Sequence, residues 1–178
     1  MADYRQYFLI HPVGLAFRLM HFGRYGQDAN ELQPIYLGNP NFVRGYSFRG
    51  LRKPVGTGAG FMSIENLIGS KIAVANAEVR LPFTGPEEFA LISSRYFFTD
   101  LVWFADAGLA WFDFDMIEMQ WDPAVDSDVR SPVFSTGITL RFNLFGAIIL
   151  EPYYAFPFQR ETEQTSGVLG FHLSFGGF

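Results

Sequence analysis

The sequence predicts an all-β fold in which antiparallel strands cross a bilayer as an incomplete transmembrane β-barrel. Three observations predict it. Apolar residues are abundant but broken into short pieces. Segments of period-two alternation recur along the chain. The connections between those segments alternate between short and long.

The 178 residues suffice for one domain. Aromatic residues make up 18% of them, with 21 Phe, while charged residues make up only 17%. A soluble domain carries about 25% charged residues. Even so, no continuous apolar run reaches the roughly 18 residues that a membrane-spanning helix needs. The longest apolar stretch, Gly146 to Phe158, is interrupted by Glu151, Pro152 and Pro157. Scattered apolar pieces suit a membrane barrel and also a buried β-sandwich, so periodicity has to decide.

Taken in order, Asp3 to Ile10 is the weakest strand candidate. In Leu15 to Arg24, Leu15, Phe17 and Leu19 share a face opposite Arg18 and Arg24. In Lys71 to Leu81, Ala75, Ala77, Val79 and Leu81 oppose Asn76, Glu78 and Arg80. Leu101 to Trp111 sets Trp103, Ala105, Ala107, Leu109 and Trp111 against Asp106. Ser135 to Leu144 is the clearest: Thr136, Ile138, Leu140, Phe142 and Leu144 point one way, and Gly137, Thr139, Arg141 and Asn143 the other. Ile148 to Phe158 opposes Ile148, Leu150, Tyr154, Phe156 and Phe158 to Glu151 and Tyr153. Val168 to Phe175 opposes Phe171, Leu173 and Phe175 to His172 and Ser174. One greasy face and one polar or small face is what lipid outside and a wet lumen inside require.

These segments make about seven strands, each near the ~9–11 residues that a tilted strand needs to cross a bilayer. Short turns are predicted at His11-Pro12-Val13-Gly14, Thr84-Gly85-Pro86-Glu87 and Phe145-Gly146. Longer loops span Tyr25 to Gly69, Asp113 to Pro132 and Arg160 to Gly167. Short turns on one side and long loops on the other are the outer-membrane layout, which soluble sandwiches do not usually show. A soluble all-β binding domain is therefore the second choice.

Several functions are disfavoured or excluded. The net charge is −5 with no basic face, which argues against nucleic acid as a partner. Cysteine is absent, so there is no disulfide, thiolate metal site or cysteine nucleophile. His11, His21 and His172 form no metal spacing. Gly56-Thr57-Gly58-Ala59-Gly60 lacks the Lys-Ser/Thr of a phosphate loop. Gly45-Tyr46-Ser47-Phe48-Arg49-Gly50 is one residue off a nucleophile elbow and does not sit between a strand and a helix. No enzyme activity, cofactor or metal is predicted. The acids Asp113, Asp115, Glu118, Asp122, Asp126 and Asp128 read better as a solvated acidic loop than as a cation site, because their spacing fits no EF-hand. Trp103 and Trp111 suit either an interfacial girdle or plain packing. Met1-Ala2-Asp3-Tyr4-Arg5 is not a signal peptide, so outer-membrane targeting would need a segment upstream.

The loop from Tyr25 to Gly69 is long for a compact fold, and such loops are usually functional or disordered. Within it, Val43-Arg44-Gly45-Tyr46 resembles the V-R-G-F/Y motif of the BamA/TamA and two-partner secretion barrels, the bacterial surface antigen family. Other features follow in the family's order. Asn76-Ala77-Glu78-Val79-Arg80 resembles its N-A-E-L-R strand, and Phe104-Ala105-Asp106-Ala107-Gly108 its F-x-D-x-G strand. Gly137-Ile138-Thr139-Leu140-Arg141 resembles its G-x-G-L-R strand. Phe171 to Phe178, with alternating Phe171, Leu173 and Phe175 and a final Phe178, resembles its C-terminal sorting signal. Gly176-Gly177 departs from that last pattern. The joint match covers nearly the whole chain.

The resemblance implies that the long loop folds back into the lumen and that Arg44 reaches Asp106 and Glu78 on the inner wall. Both acids fall on the polar face in the period-two reading. Acids at membrane depth must face the lumen and find a partner, and the arginine fork suits carboxylates. Gly45 would allow the reversal at the tip. The plain alternative is that Arg44 is an ordinary loop cation. The resemblance further implies the C-terminal part of a barrel of about sixteen strands, with the remaining barrel and periplasmic domains upstream. It would work in the outer membrane among lipid and lipopolysaccharide and insert or export client proteins. Other members of the family are two-partner secretion pores, or barrels anchoring an upstream lipase or propeller domain.

Overall fold

The computed structural model describes residues 1–47, 64–88, 90–94, 97–119, 129–144, 147–159 and 167–175. Among these residues ten strands run in the order β1 (Ala2–Ile10), β2 (Val13–Gly23), β3 (Ile35–Tyr36), β4 (Ile68–Gly69), β5 (Lys71–Gly85), β6 (Ile92–Ser93), β7 (Phe97–Trp111), β8 (Val133–Leu144), β9 (Ile148–Pro157) and β10 (Val168–Phe175). Seven of them form an antiparallel meander, β1-β2-β5-β7-β8-β9-β10, in which sequence neighbours among the long strands are neighbours in space. β3 and β4 form a separate ribbon inside the long loop. The meander is not closed, since β1 and β10 stand at its two edges. Helical structure among the described residues is limited to short 3-10 turns, including Ile64–Leu67 and Phe114–Met116.

The alternation of the sequence becomes the two faces of this sheet. Phe17, Leu19, Trp103, Ile138, Leu140, Phe156, Phe171 and Leu173 all stand exposed on the outer face. Their cross-strand partners continue the pattern: Trp103 sits opposite both Val79 and Ile138, and Ile138 opposite Tyr154. An apolar face this continuous suits lipid and not water. The inner face is split by height. Near the long-loop end, Met20, Ile72, Val74, Ala110 and Val133 pack with Leu37, Val43, Tyr46 and Leu67 of the loop. Further down, the wall is charged, and a cavity of about 260 Å³ is lined by Arg5, Arg18, Glu78, Arg141, Glu151 and His172 among others. Residues from both edge strands line that one cavity, so the sheet curls toward a barrel. The core therefore lies between wall and loop, not between two sheets.

The structure departs from the sequence reading at several points. Asp3 to Ile10, the weakest strand candidate, is no departure: it lies within a full strand, in register with β2 from Ala2↔His21 to Ile10↔Val13. Thr84-Gly85-Pro86-Glu87 is not a tight turn. β5 runs on to Gly85, and a longer connection carrying β6 reaches β7 at Phe97. β6 pairs with the end of β5 in parallel, which a local turn motif cannot signal. Pro82 lacks an amide proton, and the β5–β7 register slips beside it so that Phe83 has no partner. Arg24 lies past the end of β2, and its guanidinium binds the Gln33 carbonyl in the loop. Trp103 lies mid-strand on the outer face, and Trp111 is buried, stacked on His21 with ring centroids 5.7 Å apart. Gly56 to Gly60, Phe145-Gly146, Asp122, Asp126, Asp128 and Phe178 lie outside the described residues.

Candidate functional site

The site is the place where the long loop meets the inner wall. The loop is necked by the β3–β4 ribbon, in which Ile35 pairs with Gly69 and Tyr36 with Ile68. The Leu37 amide extends the neck by bonding the Leu67 carbonyl at 2.7 Å. Beyond it, the Asn39 carbonyl accepts from the amides of Phe42 (2.8 Å) and Val43 (3.1 Å), which turns the chain back on itself. The Asn39 side chain steadies that turn by accepting from the Asn41 amide at 3.0 Å. The turn aims Val43 and Tyr46 at the wall, where both are fully buried. Between them Gly45 takes φ +92°, a conformation costly for any residue with a Cβ.

Arg44 makes the central contact. Its Nε and Nη2 donate to Asp106 Oδ2 and Oδ1, each at 2.8 Å, and its own amide donates to Oδ2 at 3.1 Å. Nη2 also lies 3.0 Å from Glu78 Oε1. The guanidinium sits 3.6 Å above the centre of the Phe104 ring. Asn76 completes the set, donating to Asp106 Oδ1 at 2.9 Å and to the Phe42 carbonyl at 2.8 Å. A buried ion pair repays its desolvation only when its geometry and remaining hydrogen bonds are good. Here the carboxylate of Asp106 accepts four donors, and the Arg44 fork is bidentate.

The wall supplies these groups through its own period of two. Phe104, Asp106 and Gly108 stand on one face of β7, in direct line. Phe104 gives a ring, Asp106 a carboxylate and Gly108 a hole: a Cβ at Gly108 would come within 2.6 Å of Val43 Cγ2 and 3.0 Å of Leu37. Asn76 is directly opposite Asp106 across the β5–β7 ladder, which is why one side chain can serve both the wall and the loop. On the far side of the tip, the Tyr46 hydroxyl lies 2.8 Å from the Phe134 carbonyl oxygen and 2.9 Å from Gln159 Oε1. The loop tip thus touches β5, β7, β8 and the segment after β9.

The charges continue along the wall toward the last strand. Glu78 accepts from Arg80 at 2.7 Å and lies 3.9 Å from Arg141. Arg141 is bonded to Glu151, whose other oxygen lies 2.9 Å from His172 Nδ1 on β10. Below the loop tip, then, acids and bases alternate from Glu78 on β5 through β8 and β9 to His172 on β10.

The structure brings together six residues that the sequence marked, namely Val43, Arg44, Gly45, Tyr46, Glu78 and Asp106. It does not bring the terminal residues to them: Phe171, Leu173 and Phe175 lie on the outer face of β10. Phe104, Gly108, Asn76 and Gln159 were not marked as site residues. Parity was the available signal for the first three, because Phe104 and Gly108 share the face of Asp106, and Asn76 that of Glu78. Gln159 carried none. In the acidic loop, Asp113 accepts from Asn30 at 3.3 Å. Among the described residues, no cluster of three or more metal-ligating side chains is found.

The sequence matches the family described as Omp85 superfamily domain over residues 4–178. No curated protein and no solved structure matches it. The match spans nearly all of an open meander with an apolar outer face, so the chain belongs to the Omp85 superfamily, outer-membrane barrels that assemble or translocate proteins.

Proposed function

We propose that this chain is the C-terminal part of a larger outer-membrane barrel that inserts client proteins into the membrane. The remaining strands and periplasmic domains would come from upstream sequence. No chemistry is catalysed and no cofactor is used; the work is done by strand pairing and by the shape of the lumen. The observation that carries this reading is the seat of Arg44 on Asp106 and Glu78. It pins a long loop across the wall and leaves the lower lumen open and charged. We read Val43, Arg44, Gly45, Tyr46, Glu78 and Asp106 as the lock between loop and wall.

Among the described residues β10 pairs with β9 alone, and its other edge is available for strand addition. An open edge cannot face lipid, since its backbone groups would go unsatisfied. Closure against an upstream strand and exchange with a client strand are the two ways to satisfy it. Phe171, Leu173 and Phe175, with the final Phe178, are the alternating residues that assembly machinery would read as a sorting signal.

The test is reconstitution of the full-length protein in liposomes made with lipopolysaccharide. If the proposal holds, an added unfolded outer-membrane client reaches its heat-modifiable, folded form faster than in empty liposomes. Delivery of a secreted polypeptide into the lumen, without client folding, would instead favour a two-partner secretion pore. If neither client is handled, the barrel is an anchor for an upstream lipase or propeller domain, and the proposal fails.

A further inference from the structure

We infer that Arg18, held in place by Asp3, is a second positioning residue for the loop, carried by strands that take no part in binding Arg44. The inference rests on the lock reading above and adds to it an anchor outside all the motifs of the loop and wall. Arg18 lies on the inner face of β2, directly opposite Asn76 of β5 in the ladder. These two neighbours take adjacent carbonyls of the loop. Arg18 Nη1 donates to Asn41 O at 2.9 Å, and Asn76 Nδ2 donates to Phe42 O at 2.8 Å. Backbone carbonyls are available whatever the loop side chains are, so this anchor fixes the path of the chain just before Arg44.

All three guanidinium nitrogens of Arg18 are engaged. Nε and Nη2 donate to Asp3 Oδ1 and Oδ2, each at 2.9 Å, which leaves Nη1 directed at the loop. Asp3 also accepts from Arg5 Nη2 at 2.9 Å, and Arg5 is directly opposite Arg18 in the β1–β2 ladder. Two like charges facing each other would repel, and Asp3 offsets this. The competing account is therefore simple: the trio stitches β1 to β2 and the contact with Asn41 is incidental. The two accounts differ in what a charge swap does. Asp3→Arg with Arg18→Asp keeps one acid between two arginines across the same two strands. It leaves nothing at position 18 that can donate to the Asn41 carbonyl.

These 178 residues hold no cysteine, so Val43→Cys, with any upstream cysteine replaced by serine, gives a single thiol at a site buried between loop and wall. It reacts with a thiol reagent only when the loop leaves its seat. In the folded full-length protein carrying this probe, Arg18→Met should speed labelling about tenfold or more, as loss of a charged hydrogen bond implies. Folding is checked by heat-modified gel migration. The swapped pair should restore β1–β2 stability yet label as fast as Arg18→Met. Unchanged labelling in Arg18→Met, or recovery in the swapped pair, would overturn the inference. If Arg18→Met does not fold, Arg18→Lys decides: a single ammonium cannot hold Asp3 and Asn41 together as the fork does. Faster labelling in the lysine variant supports the role, and wild-type labelling refutes it. Labelling reads the seat alone, so failure of the client assay leaves this result intact.

Discussion

Replacing Arg44 by alanine removes the side chain on which the loop seat turns. Four donors reach the Asp106 carboxylate: Arg44 Nε, Arg44 Nη2, the Arg44 amide and Asn76 Nδ2. The substitution removes the first two and keeps the others. It also strips Glu78 of its 3.0 Å partner, although Arg80 stays at 2.7 Å. Breaking a buried pair by removing one partner costs about 3–5 kcal/mol. Because half of the donors to Asp106 survive, the low end, about 3 kcal/mol, is the figure to expect. That corresponds to a loop released roughly a hundredfold more often. Hydrogen exchange at the amide of residue 44 reports it directly, because that amide bonds Asp106 only when the loop is seated. The strands should keep their protection and their heat-modified migration, while the loop amide exchanges far faster and, on the proposed function, client insertion falls. Exchange within about twofold of wild type would refute the reasoning, since the lost fork would then have contributed almost nothing.

Further substitutions probe the parts separately. Gly45→Ala forces a Cβ into φ +92° and to within 3.2 Å of the Ala155 Cβ; a cost of about 1–2 kcal/mol should appear as a lower midpoint of heat-modified migration. Gly108→Ala sets a methyl against Val43 and should loosen the loop by about 1–3 kcal/mol while leaving Asp106 in place, read by protease cutting of the loop. Tyr46→Phe removes a buried hydroxyl from Phe134 and Gln159, at a cost of about 1–3 kcal/mol seen in the same assay. Ile138→Arg, mid-strand on the outer face and 53% exposed, should cost about 2–4 kcal/mol in a bilayer. Refolding yield in lipid measures it, and a normal yield would contradict the lipid-facing assignment, because an exposed site on a soluble domain would tolerate arginine.

The strands were legible because lipid and lumen impose opposite demands on alternate residues, and β8 shows both in full with Ile138 and Leu140 against Thr139 and Arg141. β1 was faint for a physical reason. At the sheet edge its inner face carries Asp3, Arg5, Tyr7 and Leu9, and its outer face Tyr4, Gln6 and Phe8, so neither face is clearly apolar. The connection after β5 misled because Gly85-Pro86 is a good turn signal locally, whereas the parallel pairing of β6 depends on a contact across eight positions, Thr84 to Ile92. The electrostatics of the site were legible because few acids stand at mid-strand, and each needs a partner. Its sterics were not. Leu37 sits in irregular loop and Leu67 ends a single 3-10 turn, where no period reveals a buried face, and a hole such as Gly108 has meaning only once the group that fills it is known.

That hidden packing bears on how such a barrel could open. The loop contributes Leu37, Val43, Tyr46 and Leu67 to the same cluster as Met20 of β2, Ile72 and Val74 of β5, Ala110 of β7 and Val133 of β8. Unseating the loop would expose that cluster, as well as free Asp106, so the seat braces the spacing of four wall strands. From β8 the charge alternation passes through Arg141 and Glu151 to His172 on β10, which stands at the edge of the described sheet. Any movement of β10 that separates His172 from Glu151 changes the field at Arg141 and then at Glu78, which Arg44 needs. By linkage, whatever weakens the seat must ease that movement by the same free energy as the movement weakens the seat. A double-mutant cycle between Arg44→Ala and His172→Phe, read on loop exchange, measures this coupling. A non-additive term of about 0.5 kcal/mol or more would show that the loop and the last strand act as one unit, and strict additivity would show that they open independently.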